Sequence, residues 1–242
     1  MHAAPGQMRV KVCGVTRRSE VAALAALPVD FVGLWHGVHG GRADLPLSAC
    51  RELVRVAQAS RVLEPVLVTF LADSHRLQDV ILRSGVRWIQ LHGYQTPSVV
   101  SAVKRTAPAG TFVVKALHVR GRDCLEESLI ARYERAGVDA FLIDAATDDG
   151  RIGSTGRALD GDVVAEVAER ITRPFLLAGG IDSESWREHA TTARHPRCLG
   201  IDVDTNARGP DSMIDPEQLI VLRRAWKACA RGGDHHGDQL PR

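Results

Sequence analysis

The sequence predicts an α/β chain folded as a single (β/α)8 barrel over residues 1–231, followed by a disordered tail at 232–242. Three observations carry this expectation. Eight short β-rich runs alternate with eight helix-like stretches. Most of the runs are apolar throughout and bounded by Gly, Pro or Asp, as strands buried on both faces require. An open doubly wound sheet would carry a Gly-rich fingerprint after its first strand, and "CGVTRRSE" contains no GxGxxG.

The predicted strands are "RVKVCGV" (9–15), "VDFVGLW" (29–35), "PVLVTFL" (65–71), "RWIQLHG" (87–93), "TFVVKAL" (111–117), "DAFLIDA" (139–145), "PFLLAGG" (174–180) and "CLGIDVD" (198–204). The first intervening helix, "RRSEVAALAAL", offers Ser19 as N-cap. "PLSACRELVRVAQAS" follows the second strand. "DSHRLQDVILRSG" has a capping Asp73, apolar residues three and four apart, and a terminal Gly85. "TPSVVSAVKRTA" is the shorter fourth helix, and "DCLEESLIARYERAG" predicts a fifth from Asp123 to Gly137. "DGDVVAEVAERI", "DSESWREHATTA" and "DPEQLIVLRRAWKACA" complete the alternation.

Composition narrows the function classes. A formal charge of +2 gives no electrostatic case for nucleic acid or a membrane surface as partner. The longest apolar runs fall far short of the roughly 20 residues that span a bilayer, and "MHAAPGQMRVK" has no apolar core of a secretory signal. Five scattered cysteines without a CxxC pair argue against a disulfide framework or structural zinc and point to reduced thiols in the cytoplasm. No HExxH or recurring histidine pair predicts a metal, and His235-His236 lies in the polar tail.

In such a barrel the active site forms at the C-terminal ends of the strands. That rule selects Cys13, Arg42 in the loop after the second strand, Gln90, His92, Lys115, Asp144, Gly179, Gly180, Asp202 and Asp204. Cys13 and Asp144 end strands on opposite sides of the mouth, which suits a general base and a general acid. Two readings of Cys13 stand side by side, because free cysteines are among the most buried residue types and an inert thiol is the plainer one. Asp144 likewise fits a loop cap as well as an acid. The Gly179-Gly180 pair before a helix, with Gly156 in "GSTGR" (153–157), supplies backbone N–H groups suited to a phosphate. Tight turns use the same residues.

Taken together, "KVCGVTRRSEV", "QLHG", "FLIDA", "GSTGRALD", "LLAGGI" and "GIDV…IDPEQL" resemble the phosphoribosylanthranilate isomerase family of tryptophan biosynthesis over residues 9–228. The resemblance implies an Amadori rearrangement of an N-ribosylated aromatic amine carrying a 5′-phosphate. Asp144 would be the general acid at the ring oxygen and Cys13 the general base at C2′, with no metal or organic cofactor. It also implies that Arg42 meets the anthranilate carboxylate and that Gln90, His92 and Asp202 support the substrate. The phosphate would fall to Gly156, Gly179, Gly180, Thr205 and Asn206. The partner is then a small molecule, and the chain a monomer or homodimer.

The chain also departs from the family pattern. S-P-R after the second strand is replaced by "GVHGGRADL". V-D-V-S-S-G-V-E after the eighth strand is "IDVDTNAR" here, so Asp204 replaces a serine, Asn206 a glycine and Arg208 a glutamate. A carboxylate beside a phosphate repels it, with Arg208 as a compensating charge. Two further expectations therefore stand beside the first. One is an Amadori-type isomerase for another N-glycosylamine, unphosphorylated or differently phosphorylated, in secondary metabolism. The other is a catalytically silent barrel that binds a sugar phosphate or a protein.

Overall fold

The computed structural model describes residues 8–146 and 159–232. Eight parallel strands close into a barrel: β1 (Arg9–Val12), β2 (Phe31–Trp35), β3 (Glu64–Thr69), β4 (Trp88–Leu91), β5 (Phe112–Arg120), β7 (Ala140–Ala145), β8 (Phe175–Leu177) and β9 (Cys198–Val203). The ring is completed by β4 against β5 (Leu91 opposite Lys115) and by β9 against β1 (Val203 opposite Val12). A ninth strand, the two-residue β6 (Asp123–Cys124), runs antiparallel to the end of β5.

Period-two alternation sorts every barrel strand into an inner and an outer face. Phe31, Trp35, Val66, Val68, Trp88, Val114, Ala116, Ala140, Leu142 and Leu176 fill the interior as one cluster, which also contains Cys13. Residues of the other parity, such as Val10, Val12, Val32, Leu67, Ile89 and Ile143, pack outward under the helices. Those helices are α1 (Arg18–Ala25), α2 (Leu47–Ser60), α3 (Ser74–Ser84), α4 (Pro97–Thr106), α5 (Ile130–Arg135), α6 (Gly161–Arg170), α7 (Ala190–Ala193) and α8 (Pro216–Ala230). Asp73, Asp160 and Asp215 accept N–H bonds at the starts of α3, α6 and α8, and Gly85 closes α3 in the left-handed conformation.

Three local expectations are corrected. Ser19 is not the N-cap of α1, because the helix starts at Arg18 and the Glu20 carboxylate accepts from the N–H groups of Thr16 (2.9 Å) and Arg17 (3.0 Å) instead. The segment from Asp123 does not open a helix. It doubles back on β5, whose pairing with β7 carries it on to His118 and Val119, and regular α-helix begins only at Ile130. The seventh helix shrinks to one turn at Ala190–Ala193, preceded by a 3-10 turn at Ser185–Arg187.

Candidate active site

Because β1 alternates, Lys11 and Cys13 both point into the barrel, two residues apart on one strand. Lys11 is fully buried, and its ammonium reaches Asp202 Oδ2 on the adjacent β9 at 2.6 Å. The same Nζ donates to Cys13 Sγ at 3.3 Å, and the indole Nε1 of Trp35, at the end of β2, donates to that sulfur at 3.1 Å. Gly33 on β2 makes room for this arrangement, since a Cβ there would stand 2.8 Å from Sγ. Gly14, next after the cysteine, has φ +69, a conformation that turns the chain away from the strand and favours glycine.

Burial pushes the Cys13 thiol up to about 12, against the pull of Lys11 and the Trp35 N–H, while Asp202 and Asp204 add to the rise. Burial likewise raises Asp202 to about 6, opposed by Lys11 and reinforced by Asp144 and Asp204. Burial pulls the Lys11 pKa down, but Asp202 and Cys13 hold it well above the usual lysine value.

Across the mouth, Asp144 closes β7 on the inner face, 6% exposed. Its Oδ1 accepts the Ala145 N–H at 2.8 Å, and its Oδ2 lies 3.1 Å from His92 Nε2, close but not aligned as a hydrogen bond. Gln90 Nε2 sits 2.8 Å from His92 Nδ1. His118 occupies the β5 position opposite Asp144 in register and is held by Glu126, which accepts from the backbone N–H at 2.8 Å and meets Nδ1 at 2.7 Å. Burial would raise the Asp144 carboxyl, yet His92, then His118 and the Ala145 N–H, bring it below its ordinary value. Burial lowers the His92 pKa, against the opposite pull of Asp144.

Five of the residues predicted from strand ends thus meet at one end of the barrel: Cys13 and Asp202 on one side, His92 and Asp144 on the other, and Gln90 behind His92. Gln90 Oε1, His118 Nε2 and Asp202 Oδ1 are buried there without hydrogen-bond partners, a concentration of unsatisfied groups that a packed core avoids. Arg42 is half exposed, stacks over the Trp35 ring at 5.7 Å and pairs with Asp204. Asp204 also accepts from Arg208 Nε at 3.4 Å.

Gly179 and Gly180 follow β8 with φ +81 and +65, two successive conformations suited to glycine. Thr205 opens a 3-10 turn after β9, and the Asn206 amide donates to Ile181 O at 3.0 Å, tying that turn to the loop after β8. Gly156 lies outside the described residues. Lys115 does not join the mouth. It alternates to the outer face of β5, donates to Gly93 O at 2.9 Å and lies 5.4 Å from the Tyr133 ring centre.

Sequence reasoning missed Lys11, Trp35 and His118 as members of the cluster. A lysine inside a buried apolar run, two residues before Cys13, was the signal for the first. Trp35 was legible only as the end of an apolar strand, and His118 lay just beyond the apolar run that ended at Leu117. Among the described residues no helix is long and apolar enough to cross a membrane.

A closed parallel barrel with buried, mutually perturbed titratable side chains at the C-terminal mouth is the architecture of a barrel enzyme. Residues 10–206 match the family described as N-(5′-phosphoribosyl)anthranilate isomerase, and the chain belongs to that family. The enzyme of that name from Azorhizobium caulinodans is 31% identical over 224 residues, covering 92% of both chains. N-(5′-phosphoribosyl)anthranilate isomerase 2 of Methanosarcina mazei is 28% identical over 88% of this chain and 91% of its own. The solved phosphoribosyl anthranilate isomerase of Thermus thermophilus superposes with a TM-score of 0.70 at 24% identity, over 93% of this chain and 99% of that one, and shows the same fold.

Proposed function

We propose that the chain catalyses the Amadori rearrangement of N-(5′-phosphoribosyl)anthranilate to the corresponding 1-amino-1-deoxyribulose, with Asp144 as general acid and Cys13 as general base. The observation that carries this reading is the pairing of the two ends of the mouth. A sulfur faced by two N–H donors, from Lys11 and Trp35, lies opposite a carboxyl group backed by His92. Family membership and the names of the relatives support the substrate.

In this reaction the Asp144 carboxyl gives its proton to the furanose oxygen. The C1′–O bond breaks with its electron pair going to that oxygen, and the amine lone pair forms the C1′=N bond. The Cys13 thiolate then takes the C2′ proton, the C–H electrons become C1′=C2′, and the C=N electrons return to nitrogen. The enolamine loses its hydroxyl proton and gains one at C1′, so nothing is oxidised or reduced overall. Donors at Sγ matter because they favour the thiolate in a site where burial favours the thiol.

The reactive form is thiolate with carboxylic acid, one proton transfer away from the thiol and carboxylate that the free site prefers. Arg42, Gln90, His92 and Asp202 are proposed to hold the substrate. Gly156, Gly179, Gly180, Thr205 and Asn206 are proposed for its phosphate. Cys13→Ala and Asp144→Asn should each reduce turnover of phosphoribosylanthranilate by about a thousandfold or more while leaving the circular dichroism spectrum unchanged. Near-native turnover by both folded variants would overturn the acid and base roles. Failure of well-expressed wild-type protein to rescue a tryptophan auxotroph lacking this isomerase would overturn the substrate. A second reading, an Amadori-type isomerase for another N-glycosylamine, draws its support from the Asp204 contact on Arg42.

A further inference from the structure

The carboxylate that the sequence places where the family has serine does not stand alone beside a phosphate loop. Asp204 Oδ1 is shared by Arg42 and Arg208, at the end of β9 next to the cysteine-bearing turn. A Cβ on Gly14 would lie 3.1 Å from Asp204 Oδ1 and 3.4 Å from Arg42 Nη2, so the ion pair covers the backbone directly after Cys13.

The two arginines differ in how firmly they are held. Arg208 has a side chain only 8% exposed, fixed by Glu20 Oε1 at 2.5 Å, Gly14 O at 2.9 Å, Ser212 O at 3.1 Å and Cys13 O at 3.3 Å. Asp204 is thereby anchored from below. Arg42 is 49% exposed on a loop and pairs with it from above. A ligand carboxylate that approaches Arg42 therefore meets a guanidinium already engaged by a carboxylate that Arg208 also contacts. With serine at this position, the same cluster would lose the one negative charge that Arg42 and Arg208 share.

We propose that Asp204 is a specificity-determining residue: an internal carboxylate that competes with the aryl carboxylate of the substrate for Arg42. Binding of a carboxylated N-aryl glycosylamine must draw Arg42 off Asp204 or share it between two anions. An uncarboxylated N-aryl glycosylamine leaves the pair undisturbed. The chain thus discriminates less in favour of the carboxylate than it would with a neutral residue at position 204, and it accepts a broader class of aryl amines. This inference rests on the reaction proposed above.

The test compares two inert product analogues, the reduced N-aryl 1-amino-1-deoxyribitol 5-phosphates with and without the ortho carboxylate. Each is titrated calorimetrically into wild type, Asp204→Ser and the nearly isosteric Asp204→Asn. Both variants are expected to bind the carboxylated analogue at least tenfold tighter than wild type, while affinity for the other changes less than threefold. The gain should vanish in an Arg42→Met background. Equal tightening of both analogues would place the effect of Asp204 at the shared phosphate and overturn the proposal, as would an unchanged ratio or equal weakening. Should neither analogue bind any of the proteins, the reaction assignment falls and takes the inference with it.

Discussion

The two halves of the barrel mouth hold their titratable groups in opposite ways. On the β1, β2 and β9 side a lysine sits at the centre, with a thiol and a carboxylate around it. On the β4, β5 and β7 side a carboxyl group is flanked by histidines, which burial and the His118–Glu126 pair organise. Burial is nearly complete on both sides, yet it wins at Cys13 and loses at Asp144. The difference lies in the company: at the sulfur Asp202 and Asp204 oppose the help of Lys11, whereas at the carboxyl His92, His118 and the Ala145 N–H together outweigh burial.

The strongest way to break the comparison is to remove its lysine. Lys11→Met takes away a donor to Sγ and the charge opposing burial, so kcat/KM should fall by about a hundredfold or more. It also leaves Asp202 buried without its partner, which costs about 3–5 kcal/mol and should appear as a lower denaturation midpoint. Lys11→Met/Asp202→Asn restores much of the stability without restoring the rate. A double variant that recovered both would show that the lysine serves only the ion pair.

Glycine substitutions set the halves against each other next. A Cβ at Gly33 would press on Sγ at 2.8 Å and on Lys11 Nζ at 3.1 Å, while at Gly93 its nearest neighbour is Phe70 Cα at 3.4 Å. Gly33→Ala should displace the sulfur by a fraction of an ångström and reduce kcat by about tenfold to a hundredfold. Gly93→Ala should leave kcat within about threefold. Equal losses in steady-state kinetics would mean that sulfur placement is not what limits the rate.

Much of the fold was legible because burial on both faces leaves parallel strands as unbroken apolar runs, and three of the intervening helices, α3, α6 and α8, open on a capping Asp. Strand ends then named Cys13, His92, Asp144 and Asp202 without any structure. What lay out of reach was pairing across the ring. Lys11 and Asp202 are 191 residues apart in sequence, and nothing local says that a lysine between two valines will meet a carboxylate at 2.6 Å. His118 was hidden because β5 continues into a polar stretch, sustained by its register with β7 and by the turn back through Asp123 and Cys124. Asp204 was legible as a charge with Arg208 as its compensating partner, but its contact with Arg42 was not, since that contact is a product of closure.

The smallest effects, and the most informative about protonation, come from pH. With Cys13 and Asp144 in the proposed base and acid roles, the thiol near 12 and Asp144 below its ordinary value, the proton count of the reactive pair matches that of the resting pair across a wide range. Below the Asp144 pKa both groups are protonated and the base is lost; above the Cys13 pKa both are ionised and the acid is lost. The profile of kcat/KM should therefore stay level between pH ~5 and ~9, where an unperturbed cysteine of pKa ~8.5 would already produce a limb. A shallow step near 6, where Asp202 titrates, is the one expected interruption. Removing His92 leaves burial to act on Asp144 unopposed by its nearest partner, so in His92→Asn the acid limb should move to higher pH. The alkaline limb, set on the far side of the mouth, should stay where it is. Movement of both limbs together would mean that the two halves titrate as one system, and the contrast between them would have to be given up.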